Sequence, residues 1–122
     1  MAPDRFSFPR THRLVRRADL EAVSARGKRI RTDHLEVRIV ASLLRHPRVG
    51  IIVPKHRHSA VDRNTLKRRL REIARVDMLP ALPPSDLVIR ARREAYDASF
   101  DALRTELARV VTRASELLLE AH

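Results

Sequence analysis

The chain has 122 residues, enough for one compact domain and too few for two. Hydrophobic residues make up 43% and can fill a core, but aromatics are only 3%, so aliphatic side chains must do most of the packing. A formal net charge of +11 implies self-repulsion in the folded chain and an anionic partner that relieves it, while the absence of Cys excludes disulfides and thiolate chemistry.

Residues 1–12 hold Pro3 and Pro9 without apolar periodicity and read as a flexible tail, with Phe6 and Phe8 able to dock. This start has no secretory apolar region, and no run in the chain approaches the ~20 apolar residues of a membrane span. The expected compartment is the cytoplasm, and no membrane partner is expected. Arg17 to Arg26 reads as a short helix, stopped at Gly27, which is expected to take the left-handed position after it. Leu35 to Val40 alternates apolar and polar residues, as a half-buried strand does. Val49 to Val53 is a β-branched run closed by Pro54, and the short link through His46-Pro47 predicts that these two strands pair antiparallel. Ser59-Ala60-Val61-Asp62 has the form of a capping box and opens a helix expected to end near Val76 or Met78, ahead of Pro80. Leu87 to Ala91 is a third long strand. Asp97 or Ser99 can cap a last helix whose apolar positions, Phe100 through Leu118, follow the 3.6-residue period. The residues alone give α–β–β–α–β–α, an α+β sandwich of helices on a sheet.

The helix after Ser59 carries the densest chemistry, Arg63-Asn64-Thr65-Leu66-Lys67-Arg68-Arg69-Leu70-Arg71-Glu72. Helical spacing stacks Arg63, Lys67, Arg71 and Arg75 in one row and puts Asn64 and Arg68 in a second row beside it. Leu66, Leu70, Ile73 and Ala74 fall on the opposite side. One face can enter a core while the other offers guanidinium forks to phosphates. A metal-dependent nuclease would need clustered carboxylates, and Asp19, Asp33, Glu36, Asp62, Glu72 and Asp86 are scattered. Two glycines are too few for a Gly-rich phosphate loop. His56 and His58 stand among Lys55 and Arg57, whose charge opposes a bound cation, so a polar loop is expected there; His12, His34, His46 and His122 read as isolated. No catalytic residue and no metal ligand are assigned.

Ala60-Val61-Asp62-Arg63-Asn64-Thr65-Leu66-Lys67-Arg68-Arg69-Leu70-Arg71 fits the pattern A-V-x-R-N-x-x-K-R-x-x-R. Arg13-Leu14-x-Arg16-Arg17-x-Asp19 and Gly27-Lys28-Arg29 precede it. Arg48 to Lys55 leads into it, and Asp86 to Arg92 follows. This ordered set, over about residues 13–112, resembles the protein subunit of bacterial ribonuclease P. The resemblance implies a single domain over 13–119, an α+β two-layer sandwich in the order α-β-β-β-α-β-α. It also implies likeness to a domain of ribosomal protein S5, with a left-handed βαβ crossover. It implies a non-DNA, non-membrane partnership with a catalytic RNA subunit and with precursor tRNA. The holoenzyme is an endoribonuclease that hydrolyses off the 5′ leader, with Mg²⁺ held mainly by the RNA and the catalytic centre in the RNA.

By the same resemblance, Arg63, Asn64, Lys67, Arg68 and Arg71 contact the RNA subunit. Arg13, Arg16, Arg17, Leu20, Arg38 and Lys55 line a cleft for the single-stranded leader. Many members carry aromatics where Leu20 and Ser24 stand, and some where Arg38 stands. A base stacked on an aromatic gains about 1–3 kcal/mol, so this cleft is expected to hold the leader mainly by charge. Two other classes fit a basic helix: a ribosome-associated RNA-binding protein without catalysis, and a DNA-binding protein using a major groove. Strands on both sides of the helix count against a helix-turn-helix.

Overall fold

The structure, a computed structural model, describes residues 8–120. Helix α1 spans Arg17–Arg26, followed by strands β1 (Lys28–Arg31), β2 (Leu35–Ala41) and β3 (Arg48–Ile52). Helix α2 (Ala60–Ile73) runs into a π turn at Ala74–Met78. Strand β4 (Ser85–Ala91) and helix α3 (Phe100–Glu120) complete the order. The sheet order is β1-β2-β4-β3. The expected α-β-β-β-α-β-α order is the one found. β1 escapes a reading by hydrophobic pattern because Lys28-Arg29-Ile30-Arg31 has one apolar residue in four; charge of that kind suits an edge strand, which it keeps from pairing with other chains.

The antiparallel pairing expected between β2 and β3 is not formed. β4 lies between them, antiparallel to β2 and parallel to β3. Leu87, Val88 and Ile89 are at most 2% exposed, and a run buried on both faces belongs at the centre of a sheet. The short link from β2 to β3 therefore passes over the start of β4, where Ser42 N–H donates to the Pro84 carbonyl. Gly27 also departs from expectation, with extended backbone at φ −68° and ψ 148°. It is glycine for lack of room: a Cβ there would stand 2.6 Å from the Val23 carbonyl oxygen and 2.9 Å from Arg38 Cβ.

Both helix caps expected from the sequence are made by serines. Ser59 Oγ accepts from Asp62 N–H at 3.1 Å, and Ser99 Oγ accepts from Ala102 N–H at 3.0 Å. α2 and α3 cover one face of the sheet, burying Leu66, Leu70, Ile73, Leu103, Leu107 and Val110 against Val37, Ile39, Leu87 and Ile89. α1 lies on the other face, where Val23 packs with Leu14 and Val88. α1 comes so close there that a Cβ on Gly50 would stand 2.5 Å from Leu20 Cδ2. Residues 8–12, expected as part of the tail, are docked instead. Arg10–His12 form a 3-10 turn. His12 Nδ1 donates to the Pro47 carbonyl at 2.9 Å, and His46 Nε2 donates to the Thr11 carbonyl at 3.0 Å. Residues 1–7, with Phe6, lie outside the described residues.

His34 is not isolated either. Its N–H donates to Glu106 Oε1 at 2.9 Å, and its Nδ1 lies 2.5 Å from Glu106 Oε2, joining the β1–β2 turn to α3. Burial alone pushes the Glu106 carboxyl up, but hydrogen bonds from Thr32 and His34 outweigh it and hold it below its ordinary value. A carboxyl so lowered contributes stability above its unfolded pKa of about 4.3 and loses it as pH falls through the lower folded value. Glu106→Gln should therefore cost about 1–3 kcal/mol at neutral pH, since it leaves buried partners unsatisfied. In urea denaturation the gap from wild type should narrow below about pH 4.

Candidate RNA interface

The buried stripe of α2 decides which of its residues face outward. Leu66, Leu70, Ile73 and Ala74 are at most 3% exposed. Asn64, Arg68, Arg69 and Arg71 are exposed, while Arg63 and Lys67 are half-buried at the edges of the stripe. The two half-buried cations behave differently. Arg63 Nε donates to the Val53 carbonyl at 2.7 Å, so this side chain ties the helix start to the end of β3. Burial, then repulsion by Arg71 and Arg63, holds the Lys67 ammonium below its ordinary pKa. Glu72 pairs with Arg75 at 2.6 Å on the outer side of the helix.

The loop before α2 is strained. His56 and Arg57 have φ of 45° and 68°, the left-handed region that non-glycine residues seldom enter. The ring of Tyr96 holds the loop from beneath. His58 stacks on it at 3.8 Å between centroids, and the Tyr96 hydroxyl donates to the Pro54 carbonyl at 2.6 Å. Lys55 is exposed in the same loop, and Arg93 lines a small hollow with His56 and Arg57. Among the described residues no group of three or more His, Asp or Glu could hold a metal ion.

The residues expected to line one cleft separate into two places. Arg38 lies on the sheet face that carries α1, with Nη1 donating to the Gly27 carbonyl at 3.2 Å and Glu36 3.6 Å away. Arg13 lines a hollow with Lys67 and Arg71, and Leu20, packed with the α1-side cluster, borders the same hollow. Arg16 and Arg17 are exposed at the start of α1, where Arg17 pairs with Glu21 at 2.8 Å.

Strand register adds residues to which the sequence reading gave no binding role. On the α1 face, one row across the sheet reads Arg31, Glu36, Arg90, Ile52, and the next reads Arg29, Arg38, Val88, Gly50. Arg29, Arg31 and Arg90 thus join Arg38 on one surface, with Glu36 the acid in these two rows. The signal was present in the period of two along each strand, but reading it across strands requires the pairing. Arg48, at the far end of this face, is neutralised by a bidentate pair with Asp86 at 2.8 and 2.7 Å, which raises its pKa. The molecule therefore offers anions two surfaces, the outer side of α2 and the arginine-rich sheet face beyond α1.

Comparison with known proteins accounts for this arrangement. A family profile described as Ribonuclease P matches residues 8–115. The ribonuclease P protein component of Syntrophobacter fumaroxidans is 40% identical over 93 residues, covering 74% of this chain and 77% of that protein. That of Acidothermus cellulolyticus is 35% identical over 113 residues, covering 89% and 92%. The solved structure of the Staphylococcus aureus RNase P protein superposes with a TM-score of 0.76 at 27% identity, over 84% of this chain and 94% of that one. The Thermotoga maritima protein gives 0.74 at 27% identity, over 83% and 96%. With a family profile matched over residues 8–115 and relatives aligned over most of its length, the chain belongs to the ribonuclease P protein family.

Proposed function

We propose that this chain docks on the catalytic RNA of ribonuclease P and assists it in removing the 5′ leader of precursor tRNA in the cytoplasm. The observation that carries this reading is the outer side of α2, where Asn64, Arg68 and Arg71 are held outward by a fully buried apolar stripe. Arg68 and Arg71 neutralise phosphates of the RNA subunit and release its counterions. Asn64, with both a donor and an acceptor, reads a ribose or a base edge. Arg63 aims the helix through its bond to Val53 and meets the RNA only with what remains of its guanidinium.

The leader is assigned to the sheet face beyond α1, on Arg38 with Arg29, Arg31 and Arg90. Arg16, Arg17 and Lys55 stand at its approaches. Hydrolysis, in which water attacks the phosphodiester and leaves a 5′-phosphate on the tRNA, is assigned to the RNA. The Mg²⁺ it uses is also assigned mainly to the RNA, because the scattered acids of this chain form no ligand cluster among the described residues. The protein's contribution is to bind both nucleic acids and lower the Mg²⁺ concentration at which they associate.

Reconstitution with a bacterial ribonuclease P RNA at low Mg²⁺ tests the reading. Added protein should increase cleavage at the mature 5′ end, and no increase would overturn it. Arg68→Ala should weaken RNA binding and reduce the slope of log affinity against log salt by about one, without changing the melting temperature. Arg63→Ala should instead destabilise the fold by about 1–3 kcal/mol, since it leaves the Val53 carbonyl without its charged donor. Arg90→Ala should weaken binding of precursor tRNA carrying a leader and leave binding of mature tRNA unchanged.

A further inference from the structure

Two adjoining hollows run along the side of α2. One, of about 140 Å³, lies between residues 8–15, α1 and α2, walled by Phe8, Arg13, Leu20, Ile51, Lys67 and Arg71. The other, of about 210 Å³, shares Phe8, Arg13 and Arg71 and adds Arg68, Glu72 and Arg75. Because three residues border both, they form one trough with an apolar floor and a cationic rim.

Arg13 is the residue that calls for an explanation. Its Nε is buried and, alone among the buried side-chain nitrogens and oxygens of the described residues, has no hydrogen-bond partner. A buried donor left unpaired is costly, and a flexible side chain would ordinarily turn it out to water. Here the backbone on either side is fixed. Arg13 bridges to Val49 as an added parallel residue at the edge of β3, and Leu14 N–H donates to the Val49 carbonyl at 3.0 Å. The guanidinium carbon lies 5.8 Å from the centre of the Phe8 ring, which keeps the charge over an aromatic face. Across the trough stands Lys67, whose ammonium is disfavoured by burial and by its cationic neighbours. The carboxylate at the rim, Glu72, is engaged by Arg75. An anion in the trough would supply Arg13 with its acceptor and relieve Lys67 at once.

The aromatic wall narrows the class of anion. A free phosphate gains nothing from a phenyl ring, whereas a nucleotide places a base on it. Of the other described aromatics, Tyr96 is taken up by His58 and the Pro54 carbonyl, and Phe100, at the start of α3, lines neither hollow; Phe8 packs partly against the core and also lines both. Leu20, Ser24 and Arg38 offer no aromatic face. Phe8 is thus the described aromatic set among cations.

We propose that this trough is a single-nucleotide pocket, with a phosphate of the RNA partner on Arg13, Lys67 and Arg71 and its base against Phe8. The proposal rests on the reading of α2 as the RNA-docking side, and it moves Arg13 from the leader surface to the RNA-subunit surface.

Binding of wild type, Phe8→Leu, Arg13→Gln and Arg68→Ala to a bacterial ribonuclease P RNA over a series of KCl concentrations tests it, alongside melting temperatures. Phe8→Leu keeps an apolar side chain in the wall and should weaken binding about tenfold at every salt concentration, because a stacked base releases no counterion. Arg13→Gln should weaken binding and reduce the salt slope by about one, without lowering the melting temperature, since it removes an unpaired charge. If both bind as wild type while Arg68→Ala loses affinity, the pocket is overturned and the assignment of α2 stands. If Arg68→Ala also binds as wild type, that assignment falls too. Affinity losses that track lowered melting temperatures in both pocket variants would also overturn the proposal, because they would report a structural role.

Discussion

The buried stripe of Leu66, Leu70 and Ile73 is the constraint on which the functional surfaces depend. α2 is the crossover between the parallel neighbours β3 and β4, and its stripe fills the space over them. Burying each of these side chains is worth about 1.5–3 kcal/mol. The row of Arg63, Lys67 and Arg71 opposes the helix by about 0.2–0.5 kcal/mol for each like-charged neighbour pair. Burial exceeds that repulsion several-fold, so the helix can carry this charge and still keep one rotational setting. The outward direction of Asn64 and Arg68 follows from that setting. No contact of their own is needed to hold them there.

The net charge of +11 acquires a location once the acids are placed. Asp86 neutralises Arg48, Asp77 takes Arg104 in a two-bonded pair, and Glu106 closes on His34. Glu21 and Glu72 pair with Arg17 and Arg75 on their own helices. These carboxylates stiffen joints between elements or cap local charge. Part of what they leave uncompensated gathers on the outer side of α2, in the trough beside it and on the sheet face beyond α1. The exposed pairs among them, such as Arg17–Glu21, are worth little in stability. Their larger effect is on the shape of the electrostatic field, which draws a polyanion to the basic surfaces.

Much of this was legible from residue order, and the losses have physical causes. The caps at Ser59 and Ser99, the buried stripe of α2 and the period of α3 are local, so sequence spacing reports them directly. The place of β4 is not local. Nothing between Ala41 and Arg48 says that a strand more than thirty residues later will enter the gap, and the short link pointed the other way. That one topological fact reorders the sheet, and with it the row that joins Arg31, Glu36 and Arg90. Arg13 was legible as basic, but the burial of its Nε was not, because its setting depends on pairing with Val49 and on Phe8. His34 and Glu106 stand 72 positions apart, a separation no motif spans.

The scarcity of aromatics bears on how such a protein recognises RNA. Phosphate contacts supply affinity that is indifferent to base and falls steeply with salt. A stacking surface adds a term that salt leaves in place. In α1 and β2, at Leu20, Ser24 and Arg38, this chain has no stacking surface to offer, and Arg38 supplies only the first kind of contact. The residue able to supply the second, Phe8, is set instead where the chain start meets α2 and the edge of β3, in contact with Arg13. Its position there depends on the 3-10 turn at Arg10–His12, which His12 and His46 fasten to the segment just before β3. The docking of residues 8–12 is thus part of the binding surface itself: without it, Arg13 would return to solvent and the side of α2 would be a charged helix face without a pocket.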